Sequence, residues 1–352
     1  SQTFSTVCGD GASPQRDRDT RAATLRTRIQ TEATAAARLE TGLDPSTELG
    51  IMGTGLYWLS YMRHSRQAML REATAIEIDS IHSNVARIKE LLKRALDRQI
   101  RFGGWIGDLV NYRLKRKIEG VKILTLLDIE MLNLMRTASG VSISESYRRL
   151  CGPEGLTDQA FATTVEGKNY VVLCLGHLVG AIGAGSDSTS NFYNNLQVLA
   201  HEMAHFIDYG DYPELYGPYI GCLTDHYAME LPRPAGWTST MTWMANHAST
   251  IDAHVRVTDR AVELTADYWA TQTVLEYLRE EGRSFSYEDK VRVLRESYAG
   301  YCSSPAGNDH PPGRFRVETL LGRDFGIQEI MQCSGLPLAN LTPSCTLHGE
   351  VE

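Results

Sequence analysis

Two pairs of ionisable side chains, each four residues apart in an apolar setting, govern what this chain can become: His201 with His205, and Glu263 with Asp267. An α-helix turns ~100° per residue, so residues four apart lie nearly above one another on one face. The segment from Asp252 to Glu281, with Ala261, Leu264, Trp269, Val274, Leu275 and Leu278, reads as one long and mostly buried helix. Carboxylates turned inward from such a helix are costly unless something cationic compensates them. A fold that buries both pairs therefore has to bring them together around positive charge.

The residue types point to a metal. Within His201-Glu202-Met203-Ala204-His205, two imidazoles can share one tetrahedral ion, and Glu202 stands where a carboxylate can take a proton from metal-bound water. Two imidazoles leave such an ion short of a protein ligand. Glu263 can supply it while a fourth position stays open for water. Asp267 can accept the spare ring N–H of a ligand histidine, fixing its tautomer and raising its basicity. One zinc ion per chain is the expected cofactor. A third segment, Asp309-His310-Pro311-Pro312-Gly313-Arg314-Phe315-Arg316-Val317, holds His310 and Arg316 at a set separation through a turn whose φ angles are largely preset. Hydrolysis of a peptide at such a centre needs a donor for the developing oxyanion, a task that suits His310. The planar fork of Arg316 suits gripping a substrate carbonyl or carboxylate. The plainer readings are a solvated helix face carrying Glu263 and Asp267, and a surface turn with incidental charges. Three such segments in one chain argue against both. His226, His247 and His254 lie between the two pairs as competing ligands, and on a continuous helix His254 stands about two and a half turns from Glu263, too far to share its ion. His247 and His254 are the first replacements to consider if Glu263 does not ligate.

Together the three segments resemble the neprilysin family of zinc endopeptidases, within the gluzincins, which carries a His-Glu-x-x-His helix, a Glu-x-x-Ala-Asp helix and a later His-x-Pro-x-x-x-Arg segment. Asp208, three residues after His205, Tyr301-Cys302, and the run from Thr319-Leu320-Leu321 through Phe325 to Cys333 and Cys345 are similar to family features as well. The resemblance implies His201, His205 and Glu263 as zinc ligands and Glu202 as general base. It implies Asp208 and Asp267 as partners of the ligand histidines, His310 as oxyanion stabiliser and Arg316 as substrate anchor. It also implies disulfides pairing Cys222 with Cys345, and Cys8 with Cys333 or Cys302, and hence a secreted or other oxidising extracytoplasmic setting. The implied activity is that of a zinc metallopeptidase, an endopeptidase acting on peptide or protein substrates. In gluzincins a strand before the metal helix forms the edge along which an extended substrate docks, and Tyr170-Val171-Val172-Leu173-Cys174-Leu175 stands there. The resemblance covers about residues 195–345. The family's substrate-binding Asn-Ala-Tyr-Tyr segment has at most Asn169-Tyr170 as its counterpart, and the large helical cap of its longer chains does not fit in full within 352 residues. Two rivals stand beside it: a gluzincin peptidase of the membrane-linked housekeeping type, and a non-catalytic zinc-stabilised module that binds a protein partner.

The rest of the chain is expected to be mainly α with a small β-sheet, an α+β class, in which a helical N-terminal region over 1–150 precedes the gluzincin-like catalytic domain over 151–352. Residues 21–41 are rich in Ala and Arg, Gly53 to Arg101 is helical in pattern with Ile81, Val85, Ile88 and Leu92 on one apolar stripe, and a further helix is expected from about Ile106 to Met135. The character changes near Cys151-Gly152-Pro153-Glu154-Gly155, and the best strands lie between Phe161 and Leu175. Tyr209 to Trp237, rich in Tyr, Pro and Gly, reads as irregular. A net charge of −8 gives no reason to expect nucleic acid, and no apolar run reaches the ~18–20 residues of a membrane span. The seven cysteines include no Cys-x-x-Cys pair, which argues against a zinc ribbon or thioredoxin site. The chain starts at Ser1, as a form with its leader removed would, and as an artificially trimmed chain would too. Asn340-Leu341-Thr342 is a glycosylation sequon, meaningful in a secreting eukaryote. Oligomeric state and side-chain preference find no signal.

Overall fold

The structure is a computed structural model that describes residues 6–9, 13–44, 54–73, 75–100, 105–136, 141–152, 155–157, 159–183, 188–226, 251–302, 310–321, 324–331, 344–347 and 349–351. Trp237, Trp243, His247, Cys333 and the Asn340 sequon lie outside the described residues. The described chain is mostly helical with a small mixed sheet, as expected of the α+β class. It divides into two compact units, each built from separated stretches: Ser1–Gly11, Ala86–Glu119 and Phe192–Glu352 form the first, Ala12–Val85 and Gly120–Asn191 the second. This division differs from the contiguous one expected at residue 150. Cross-links distant in sequence account for the first unit, among them the Cys8–Cys302 disulfide and ion pairs between residues 87–98 and 276–281.

In the second unit, α1 (Ser13–Thr41) and α2 (Thr54–Glu72) pack against each other, and α7 (Leu175–Gly183) packs on α1. The helical pattern expected from Gly53 to Arg101 resolves into α2 and α3 (Ala75–Gln99), and the stripe Ile81, Val85, Ile88 and Leu92 is buried. The single helix expected from Ile106 to Met135 is broken. It becomes α4 (Trp105–Gly120), strand β1 (Lys122–Thr125) and α5 (Ile129–Arg136), followed by α6 (Val141–Leu150). Gly120 ends the first helix, the Asp128 carboxylate accepts from the Thr125 amide at 2.7 Å, and β1 gains a parallel partner that no local pattern shows. That partner is β3 (Lys168–Leu173), which also pairs antiparallel with β2 (Ala160–Val165), so the order is β1-β3-β2. The β2–β3 turn places Glu166 and Gly167 at φ 50° and 73°, the signs a tight two-residue hairpin requires. Because β3 is the middle strand, its backbone is paired on both sides. The docking edge expected at Tyr170–Leu175 is therefore not an edge. Cys151 and Cys174 form a disulfide that neither spacing nor resemblance indicated.

The first unit centres on the metal-motif helix α8 (Ser188–Ala204) and the long α10 (Ile251–Glu280), with α9 (Pro213–His226) between them in sequence. The stretch expected to be irregular after Tyr209 is helical from Pro213, where proline suits a first turn, and carries Pro218 inside. Trp269, wholly buried on α10, donates its indole N–H to Tyr216 at 2.7 Å, and Tyr216 in turn bonds the Ile207 carbonyl. That chain fastens α9 and the turn after α8 onto α10. Helix α11 (Tyr287–Ser297) starts with a capping box between Ser286 and Asp289. The chain closes with the short helix α12 (Gly313–Arg316), a π-helical turn at Val317–Leu321, α13 (Phe325–Ile330), and the paired strands β4 (Ser344–Thr346) and β5 (Gly349–Val351). Cys222 of α9 pairs with Cys345 of β4, and Cys8 with Cys302, settling the choice left open for Cys8.

Candidate metal centre

Helix α8 delivers His201 and Glu202 in its last turn and ends at Ala204, so His205 sits in the turn that follows. The i,i+4 relation survives this ending, because Phe206 and Ile207 continue with tight bonds to the Met203 and Ala204 carbonyls. The two rings stand perpendicular, with centroids 4.8 Å apart. Across from them α10 presents Glu263 and Asp267, flanked by buried Ala261, Leu264 and Ala266. Thr265 lies between the carboxylates and accepts the Tyr209 amide at 3.0 Å, which ties the turn carrying His205 to α10.

The Glu263 Oε2 atom lies 3.1 Å from His201 Nε2 and 3.7 Å from His205 Nε2. Ligand atoms about 2.0–2.2 Å from one tetrahedral ion stand about 3.3–3.6 Å apart, so these separations bracket the edge of such a site. His201, His205 and Glu263 are the group among the described residues whose ligand atoms all fall within 4.8 Å of one another. Glu263 Oε2 and His201 Nδ1 are both buried and make no aligned hydrogen bond. A divalent cation among the three side chains would satisfy the carboxylate oxygen, and the donor set of two imidazoles and one carboxylate is one that zinc accepts.

Electrostatics agree with a site built for positive charge. Burial opposes a charged His201, yet Asp267 and Glu263 overcome it and raise its pKa from 6.5 to about 10. Burial likewise opposes charge on His205, and Asp208 outweighs it, raising its pKa. Burial would raise the Glu263 carboxyl, but His201 and His310 hold it well below the usual carboxylate range. Burial works on Asp267 in the same sense and is overcome by Arg316 and His201.

Each of the two imidazoles has a carboxylate behind it. Asp267 Oδ1 stands 2.9 Å from His201 Nδ1, though out of line for a hydrogen bond, and Asp208 Oδ2 lies 3.1 Å from His205 Nδ1. The other Asp208 oxygen accepts from the Gly210 amide at 2.8 Å, which sets its orientation. His310, its side chain 42 % exposed, brings Nε2 to 2.8 Å from Glu263 Oε2, with its ring 6.4 Å from that of His201. Glu202 is half-buried and close enough to His205 to favour its charged form. All eight residues singled out in the sequence thus belong to one unit. His201, His205 and Glu263 come together, with Asp208, Asp267 and His310 in contact with them. Arg316 reaches this group from behind, only 5 % exposed, donating from Nε and Nη2 to the two Asp267 oxygens at 2.5 Å each.

Sequence reasoning gave no role to two participants. Tyr301 bonds both Asp267 and Arg316, and Gln197 bonds the Tyr301 hydroxyl. Gln197 could have been noticed, since it lies four residues before His201 on the same helical face. Nothing local marks the Tyr301 hydroxyl. Among the competing histidines, His226 and His254 lie in α9 and α10. Comparison of the chain with protein-family models, curated proteins and solved structures finds no match in any of the three.

Proposed function

We propose that this chain is a zinc-dependent peptidase of gluzincin type, in which His201, His205 and Glu263 hold the ion and Glu202 is the general base. The observation that carries the reading is the convergence of two imidazole nitrogens and a carboxylate oxygen, from segments distant in sequence, to within 4.8 Å of one another. A zinc ion held there supplies Lewis acidity toward a substrate carbonyl and a lowered pKa for the attacking water. Glu202 takes the proton as that water adds and passes it to the leaving amine. His310, half-exposed beside Glu263, donates to the developing oxyanion. Asp267 and Asp208 keep the imidazoles turned toward the ion. Arg316, turned inward onto Asp267, holds that carboxylate in place.

One feature favours this over a structural metal: Glu202 has no task at a structural ion. Three disulfides, with no helix among the described residues long and apolar enough to cross a membrane, support an oxidising extracytoplasmic setting. Metal analysis by mass spectrometry, paired with cleavage of a quenched peptide library with and without chelator, tests the reading. One zinc per chain and chelator-sensitive cleavage are expected, and Glu202→Gln is expected to keep the zinc while losing about 10²–10⁴ in turnover. Cleavage indifferent to chelator, or full turnover in Glu202→Gln, would end it.

A further inference from the structure

We propose that Tyr301 is a positioning residue for the metal centre: its hydroxyl, held by Gln197, fixes the orientation in which Asp267 faces His201. The inference rests on the metal reading above. A phenol offers one proton and two lone pairs, and all three are in use here. The Tyr301 hydroxyl donates to Asp267 Oδ1 at 2.5 Å, accepts from Arg316 Nη2 at 2.7 Å and accepts from Gln197 Nε2. The directions are forced, because the guanidinium and the amide nitrogen can only donate and the carboxylate can only accept. Tyr301, Gln197, Asp267 and Arg316 are all buried, and the Arg316 guanidinium carbon lies 3.7 Å from the centre of the Tyr301 ring.

The connectivity closes on itself. Gln197 and His201 sit one turn apart on α8. From Gln197 the path runs through the Tyr301 hydroxyl to Asp267 of α10, and from Asp267 Oδ1 back to His201 Nδ1 at 2.9 Å. Hydroxyl and imidazole therefore meet at one carboxylate oxygen. Arg316 alone would hold Asp267 by a flat two-point contact that leaves its tilt toward the ring free, and the hydroxyl supplies the third point. The Tyr301 main chain also seats the later segment: a Cβ on Gly313 would lie 1.8 Å from the Tyr301 carbonyl oxygen, so only glycine allows so close an approach. One residue thus braces Asp267 through its side chain and the His310–Arg316 segment through its backbone.

The test uses the full chain as parent, Tyr301→Phe, Gln197→Leu and the double variant. Zn²⁺ affinity is read by competition with a chelator, the visible absorption of the Co²⁺ form reports ligand geometry, and circular dichroism monitors the metal-free fold. Tyr301→Phe is expected to bind Zn²⁺ about tenfold more weakly with an altered Co²⁺ spectrum and an unchanged fold, as is usual for loss of a group behind a ligand. Gln197→Leu is expected to move both readouts in the same direction. The double variant should be no worse than Tyr301→Phe, because Gln197 acts through the hydroxyl. Parent-like affinity and spectrum in Tyr301→Phe, or losses that add in full, would overturn the proposal. If Tyr301→Phe folds poorly, Gln197→Leu, which keeps the ring, decides by the same two readouts. A parent that binds neither ion would overturn the metal reading and this inference with it.

Discussion

The middle of α10 and its C-terminal end, with Glu281 just beyond, carry carboxylates under opposite conditions. Toward its C-terminus, Glu276, Glu280 and Glu281 meet Arg98, Arg94 and Arg87, and Arg279 adds a second bond to Glu276 at 2.8 Å. Toward the middle, Asp267 has Arg316, but among the described residues the ion-pair contacts of Glu263 are to imidazoles, those of His201, His205 and His310. An arginine keeps its charge at any working pH, whereas an imidazole must give up its proton to ligate a metal. Burial of a carboxylate is therefore not in itself the informative sign. Glu276 is as deeply buried as Asp267, and the protein supplies both with permanent countercharge. Glu263 stands instead in a group of side chains that could hold a metal ion.

The sharpest way to break this comparison is to delete one carboxylate in each region. Glu263→Ala is expected to lose metal and turnover together, while Glu276→Ala keeps the metal. Metal content of the purified variants checks this, and retention of zinc by Glu263→Ala would remove the distinction. The second effect is a difference in pH slope. His201 has a folded pKa of about 10 against 6.5 unfolded, so its contribution to the metal-free protein is complete below about pH 6.5 and is lost as pH rises toward 10. Metal binding runs the other way, since deprotonated imidazoles ligate better. Thermal melts of chelated protein should thus fall from pH 6.5 to 10, while the gap between loaded and chelated forms widens. A flat or rising melting temperature in the chelated protein would contradict it. Next in size, Glu276→Gln breaks charge-assisted bonds to Arg98 and Arg279 and should cost about 1.5–3 kcal/mol in denaturant unfolding with metal affinity unchanged. The smallest effect belongs to Glu280→Ala. Its pair with Arg94 is open to water on both sides, so a change of about 0–1 kcal/mol that shrinks with added salt is expected.

How far the chain could be read follows the range of the forces involved. Helix α10 was legible because its apolar pattern runs unbroken from Ile251 to Glu280. The strand β1 was not, since four residues of Lys122–Thr125 become a strand only by pairing with Tyr170–Leu173, and the same pairing removed the expected docking edge. Pro and Gly near Tyr209 suggested irregular chain, yet Trp269 and Tyr216 hold α9 as a helix against α10. The Cys222–Cys345 link was implied by resemblance alone, and Cys151–Cys174 by nothing in the local sequence.

Periodicity is a local property, so the chain alone carried the identity and spacing of His201, Glu202, His205, Glu263 and Asp267 and the face each would share. Asp208 lies only three residues from His205, but that Asp267 stands behind His201 is a matter of packing between distant segments. So are the turning inward of Arg316 and the closing of the network by Tyr301, whose partner Gln197 is 104 residues away in sequence. Such contacts gain their strength from shared burial, a property that belongs to the assembled core and to no stretch of chain within it.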